Sequence, residues 1–134
     1  MKFLLDTDAL IYISKRMGNC VANLEKQLDS DIAISTINVF ELEFGIAKSN
    51  NPAKGQAFLY EIKARFTVLG FDENCAAHAG RARAQLSKVE VGMPIGPYDL
   101  QHAGIALTHN LIFVTRNTNE FLRVPGLKLV NWYD

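Results

Sequence analysis

The chain has 134 residues, 49% of them apolar and 21% charged, and its 14 Lys plus Arg match its 14 Asp plus Glu for a formal net charge of +0. That length suits one domain with a full hydrophobic core, and the composition excludes a disordered or low-complexity chain. The charge balance excludes the global basic field that marks many nucleic-acid binders, so any contact with phosphate must use a local patch.

In chain order, "KFLLD" (Lys2 to Asp6) reads as a strand and Ala9 to Met17 as a helix. Asn19 to Leu28 carries Val21, Leu24 and Leu28 at helical spacing, and "DIAIS" (Asp31 to Ser35) is a second strand. Ser35 or Thr36 then caps a helix running to about Lys48. "SNNPAKG" is the clearest break, with Pro52 in the first turn of a helix that ends near Arg65. "FTVLGF" (Phe66 to Phe71) is a strand, and Asp72 caps an Ala-rich helix to about Lys88. After the loop "VGMPIGP", Pro97 opens a helix to about His109; "LIFVT" (Leu111 to Thr115) and "LKLV" (Leu127 to Val130) complete the strands. Strands alternating with helices predict an α/β fold, a three-layer α/β/α sandwich around a central parallel sheet.

Cys20 and Cys75 are too few for a disulfide framework or a zinc knuckle and predict buried, reduced thiols in a cytoplasmic protein. Asp6 interrupts the apolar run a secretory signal needs, and no stretch of about 18 apolar residues predicts a membrane span.

In such a sheet ligands bind outside the carboxyl ends of the strands. Asp6 ends the first strand, and "TRNTNE" follows the "LIFV" strand, which brings Thr115, Asn117 and Glu120 to the same rim. The bland reading of Asp6 or Asp8 is a helix cap, and of Asn117 a turn residue. Glu41 shares its helical stripe with Ile37, Phe44 and Gly45; Glu43 has Val39, Phe40, Ile46 and Ala47 as neighbours, and spacing alone does not choose between them. Asp99 falls in the first turn opened by Pro97, where the helix dipole is a sufficient reason for an acid. Together, however, two or three carboxylates on one rim repel one another unless a cation lies among them. A hard divalent ion such as Mg²⁺, held by one or two carboxylates and substrate phosphate oxygens, fits that demand. His78, His102 and His109 show no zinc-ligand spacing and read as capped or surface histidines.

The segments "LLDTD", "STINVFELEFGIAKS", "PIGPYDLQHAGIAL" and "VTRNTNEF" resemble, in order and approximate spacing, the PIN-domain ribonucleases, and in particular the VapC toxins of bacterial type II toxin–antitoxin systems. The resemblance covers essentially the whole chain and implies a single PIN domain over residues 1–134. It also implies a catalytic set Asp6, Glu41, Asp99 and Asn117, with Mg²⁺, or alternatively Mn²⁺, held by Asp6, Asp99 and Glu41; this selects Glu41 over Glu43. Asn117 stands where relatives often carry aspartate, which removes one charge that Glu120 can restore. The "GPYD", "VTRNTNEF" and Trp-containing segments look most like the branch that cleaves initiator tRNA in its anticodon stem-loop. The resemblance further implies a small VapB-type antitoxin laying a helix in an apolar groove between the early helices, and a homodimer, with "ALIYI" and "FLYEI" as candidate linings.

The expected reaction is metal-dependent hydrolysis of an RNA phosphodiester by water, giving 5′-phosphate and 3′-hydroxyl ends. Arg116, Thr115, Lys15 and Arg16 are the expected RNA contacts, and Tyr98 is either a base-stacking platform or a packed or interface tyrosine. Two other readings stand beside it: a PIN-fold module that binds RNA or protein without cleaving, and a phosphoacceptor signalling domain. The second needs an acceptor aspartate at a central strand and a lysine after a later one, whereas here the middle acid lies in a helix and "VTRN" offers arginine.

Overall fold

The computed structural model describes residues 1–89 and 94–134. β1 (Phe3–Leu5) leads into α1 (Thr7–Lys15) and α2 (Cys20–Glu25), and a 3-10 turn, Asp29–Asp31, feeds β2 (Ile32–Ser35) and α3 (Thr36–Ala47). α4 (Ala53–Arg65), β3 (Thr67–Leu69) and α5 (Glu73–Val89) come next, then α6 (Pro97–Thr108), β4 (Ile112–Val114), the one-turn α7 (Thr118–Phe121) and β5 (Lys128–Val130). Val91, Gly92 and Met93, the first part of the expected Gly/Pro loop, lie outside the described residues.

The strands form one parallel sheet in the order β3-β2-β1-β4-β5, with Phe3 in register with Ile32 on one side and Ile112 on the other. Alternation along each strand feeds two cores. Phe3, Leu5, Ile32 and Ile34 pack with Leu10, Leu24, Leu59 and Ile62 on the face covered by α1 to α4. Leu4, Ala33 and Phe113 pack with Cys75, Ile105, Ala106 and Phe121 on the face covered by α5 to α7. A strand buried on both faces needs no polar alternation, which is why "FLL", "IAI" and "IFV" are continuous apolar runs. α5 and α6 approach so closely at Gly104 that a Cβ there would lie 2.6 Å from the Cys75 carbonyl oxygen and 2.9 Å from the Ala79 Cβ. Both cysteines are buried and free, as expected.

Local sequence explains where the elements begin and where expectation erred. Asp6 caps α1 by accepting from the Thr7 N–H at 2.8 Å, so the helix starts at Thr7 and not at Ala9. Ser35 and Asn38 form a reciprocal capping box that starts α3. The helix expected through Leu28 stops at Glu25, because Leu28 is 70% exposed and anchors nothing. Pro52 precedes α4 as its cap residue, one position before the expected first turn. The C-terminal residues fold back onto β1 and α1: Trp132 lies 5.1 Å from the Phe3 ring and Tyr133 4.7 Å from the Tyr12 ring. Gly18, at φ +60°, makes room for Tyr133.

β1 is the turning point of the topology. The chain adds β2 and β3 on one side of it and β4 and β5 on the other, which opens a crevice at the carboxyl ends of β1 and β4 where α/β sheets bind ligands.

Candidate active site

Asp6 sits at that crevice, with its backbone N–H bonded to the Val114 carbonyl of β4 at 2.9 Å. Its side chain is buried. Oδ1 accepts from the Thr7 N–H and Oδ2 accepts from the Thr115 hydroxyl at 2.9 Å, so one residue serves as both cap and site, and the bland reading covers half of its role. Burial is the largest influence on this carboxyl; Asp8 and Asp99 add repulsion, the two hydrogen bonds oppose, and the outcome is a pKa pushed from 3.8 up to about 7.

Asp99, half-buried in the first turn of α6, is raised to about 6, again mainly by burial and then by the negative charges of Glu120, Glu41 and Asp8. The dipole of α6 favours the ionised form, so desolvation and repulsion together outweigh it. These mutual influences place Asp6, Asp8, Glu41, Asp99 and Glu120 in one electrostatic neighbourhood. Glu41 enters it from α3, where the Thr7 hydroxyl donates to its Oε1 at 2.6 Å. Glu43, by contrast, is exposed.

Asn117 is exposed at the start of α7; its N–H donates to the Thr115 hydroxyl at 3.0 Å and its side-chain amide donates to Glu120 Oε2. The asparagine thus holds an acid on the rim. Thr115, expected to touch RNA, is 1% exposed and spends its hydroxyl on Asp6 and Asn117, beneath the rim and not on its surface. Arg116 lies on the C-terminal residues: its guanidinium carbon is 3.5 Å from the Tyr133 ring centre and Nη2 is 3.8 Å from Asp134. Lys15 and Arg16 are exposed at the end of α1, and Lys15 lines a cleft of about 640 Å³ between α1, α3 and α4 that also reaches Glu41. Tyr98 is half-exposed with its ring 5.5 Å from that of Phe40.

Among the described residues no three His, Cys, Asp or Glu side chains close into a metal cage by themselves. The donor chemistry nevertheless fits a hard cation. A buried and a half-buried carboxyl, both held above their ordinary range by desolvation and mutual repulsion, are the ligands a divalent ion would relieve, and Mg²⁺ takes only one or two carboxylates and keeps water for the rest.

Beneath the acids lie Thr7 and Asn38, to which the sequence reading assigned no role, with Ser35, read only as a helix cap, and His102. His102, expected at the surface or in a cap, is 1% exposed, stacked 5.6 Å from Phe113 and bonded through Nε2 to Ser35. Burial lowers its pKa from 6.5 to about 4, so the ring is neutral. The one available signal was the spacing of Ser35 and Asn38, a capping pair with amide in place of acid.

Comparison with known proteins agrees with this architecture. Residues 3–127 match the family described as "PIN domain". The "tRNA(fMet)-specific endonuclease VapC" of Salmonella typhimurium is 36% identical over 132 residues, 98% of each chain. The VapC-containing crystal structure of DNA-bound VapBC from Salmonella typhimurium superposes with a TM-score of 0.89 at 34% identity, covering 98% of both chains. VapBC2 from Rickettsia felis, bound to a promoter DNA fragment, gives 0.87 at 32% identity over 98% of this chain and 99% of that one. With a family match across nearly its full length and VapC nucleases aligned end to end, the chain belongs to the PIN-domain nucleases of the VapC type.

Proposed function

We propose that the protein is the toxin of a type II toxin–antitoxin system, a divalent-metal-dependent endoribonuclease formed by a single PIN domain over residues 1–134, acting in the cytoplasm. The observation that carries this reading is the crowding of Asp6, Asp99 and Glu41 at the β1/β4 crevice, with two of the three driven toward protonation. Asp6 and Asp99 would hold Mg²⁺ or Mn²⁺, with Glu41 beside them. A bound divalent cation supplies Lewis acidity toward a phosphate oxygen and acidifies water. Glu41, whose Oε1 is occupied by Thr7, keeps Oε2 to orient the attacking water and take its proton. Asn117 steadies Glu120 at the rim in the place of a fourth aspartate.

A tRNA, with the initiator anticodon stem-loop first among candidates, is the proposed substrate, on the strength of the 36% identical relative named for tRNA(fMet). Lys15, which lines the same cleft as Glu41, and the adjacent exposed Arg16 are the better placed of the basic residues to meet its backbone, since Arg116 is engaged with Tyr133 and Asp134. A VapB-type antitoxin would occupy the cleft between α1, α3 and α4, whose apolar lining includes Ile11, Leu42, Ile46 and Phe58. The exposed Phe40–Tyr98 pair supports a homodimer contact. No described helix is long and apolar enough to cross a membrane.

Incubation of purified protein with tRNA and Mg²⁺, followed by analysis of the ends, tests the reaction. Cleavage with 5′-phosphate and 3′-hydroxyl products is expected, chelation should stop it, and Asp99→Asn should slow it by about 10³-fold, equivalent to the several kcal/mol a metal contributes. A cyclic 2′,3′-phosphate product, or full activity in Asp99→Asn, would sink the proposal.

A further inference from the structure

The acids stand on a chain of hydrogen bonds whose direction can be assigned. Asn38 Oδ1 accepts from the Ser35 N–H at 2.7 Å, which fixes the amide orientation and turns Nδ2 the other way. Nδ2 lies 2.8 Å from Thr7 Oγ1 and 3.3 Å from His102 Nε2. His102 Nε2 faces this amide and, at 2.8 Å, the Ser35 hydroxyl, so it is the acceptor of the ring; its proton is on Nδ1, which is buried without a hydrogen-bond partner among the described residues. An amide nitrogen has two hydrogens and no lone pair to offer, so Asn38 can only donate to Thr7. The Thr7 oxygen therefore receives one proton from Asn38 and spends its own on Glu41 Oε1 at 2.6 Å. The Thr7 backbone N–H meanwhile holds Asp6 Oδ1.

Resting on the nuclease reading above, we propose that Thr7 and Asn38 are positioning residues: they bind neither RNA nor metal but aim Glu41 and tie it to Asp6, one hydroxyl and one N–H of the same residue serving two carboxylates that are 35 positions apart in sequence. His102 is the neutral backstop of the chain: its single Nε2 lone pair faces the Ser35 hydroxyl at 2.8 Å and, more weakly, the second Asn38 hydrogen at 3.3 Å, while the ring packs against Phe113. A buried ring with an unsatisfied Nδ1 is a costly way to fill this space, and its geometric return is that Asn38 cannot turn over. Thr7 is itself 7% exposed and β-branched, which limits its rotamers and keeps the hydroxyl on this path.

The test compares wild type, Thr7→Val, Thr7→Ser and Asn38→Ala, each alone and combined with Glu41→Gln, in RNA cleavage at saturating metal and in Mn²⁺ affinity measured by EPR on RNA-free protein. Thr7→Val should lower kcat by about 10–100-fold and weaken Mn²⁺ binding by a similar factor, with KM for RNA changed by less than about twofold. Thr7→Ser, which keeps the hydroxyl, should stay within about threefold of wild type, and in the Glu41→Gln background Thr7→Val should add less than about a further twofold, because its effect runs through Glu41. If Thr7→Val does not fold, Asn38→Ala, which leaves Thr7 in place and removes the donor behind it, carries the same cycle. Equal losses with and without Glu41→Gln, or a serine variant as impaired as the valine one, would overturn the proposal. Should wild type bind Mn²⁺ and leave RNA uncut, the nuclease reading falls, while the affinities still decide whether Thr7 and Asn38 position the acids.

Discussion

Asp6 carries a stability cost that the pH dependence of folding should expose. Its pKa rises from 3.8 to about 7 on folding, and that of Asp99 from 3.8 to about 6. A group whose folded pKa lies above its unfolded one favours folding below the unfolded value and loses that contribution as pH climbs to the folded one. The metal-free protein should therefore lose stability between about pH 4 and pH 7 from these two groups. Denaturant melts across that range check the sign, and Asp6→Asn, which removes the titration, should flatten the curve and leave the protein more stable than wild type at pH 8. Mg²⁺ should reverse the trend, stabilising by about 2.7 kcal/mol at 100 times its Kd and more strongly at pH 8 than at pH 5, where protons compete. A Tm that Mg²⁺ does not move at pH 8 would speak against a cation among these acids. Asp6 was legible in the sequence because acid after an apolar strand is conspicuous. Thr7 and Asn38 were not, since each looks like an ordinary cap residue until partners 34 and 31 positions away are known.

Among the elements, α6 is the one most tightly constrained. It carries Asp99 at its start and lies close against α5 because Gly104 has no side chain to separate them. Gly104→Ala would force its methyl into the Cys75 carbonyl, a backbone atom with little freedom to yield, and should destabilise by about 1–3 kcal/mol in thermal or chemical melts. The displacement should also reach Asp99, so activity is expected to fall further than the melting data alone explain. β1, β2 and β4 could be read from the sequence as apolar runs because burial on both faces writes that pattern plainly, whereas the edge strands β3 and β5 are more exposed and showed through their β-branched and leucine residues. The short helices were less legible: α2 was expected, but with the wrong end, and α7 was not expected. α2 ends early because the apolar spacing of Val21, Leu24 and Leu28 overstated what is buried, and α7 is a single turn set by the Thr115–Asn117 contact and by Phe121 in the core.

For the molecule as a whole, the cleft between α1, α3 and α4 offers a clean separation of folding from partner binding. Gly45 lines it from the last turn of α3, and a Cβ there meets nothing within 4 Å. Gly45→Leu should therefore keep or raise the Tm, since leucine favours helix by up to about 1 kcal/mol over glycine, while filling the space proposed for the antitoxin. Titration calorimetry against the cognate antitoxin is expected to show affinity reduced by about tenfold or more, which corresponds to at least about 1.4 kcal/mol of binding free energy. Unaltered affinity would mean that the partner docks elsewhere. The family resemblance pointed to a groove between the early helices with "ALIYI" and "FLYEI" as linings, and Ile11, Phe58 and Glu61 of those segments do line the cleft; the share of α3 was not legible, because the relative placement of three helices depends on the packed core.

The position of β1 in the middle of the sheet has a consequence for how the crevice is assembled. Asp6 is held by Thr115, 109 positions later, and its strand is enclosed only when β4 arrives. A folding chain cannot close the crevice until that distant stretch has docked beside β1. Loss of Thr115 would thus leave the Asp6 carboxyl without its Oδ2 partner, and loss of β4 would leave β1 without one of its two neighbouring strands.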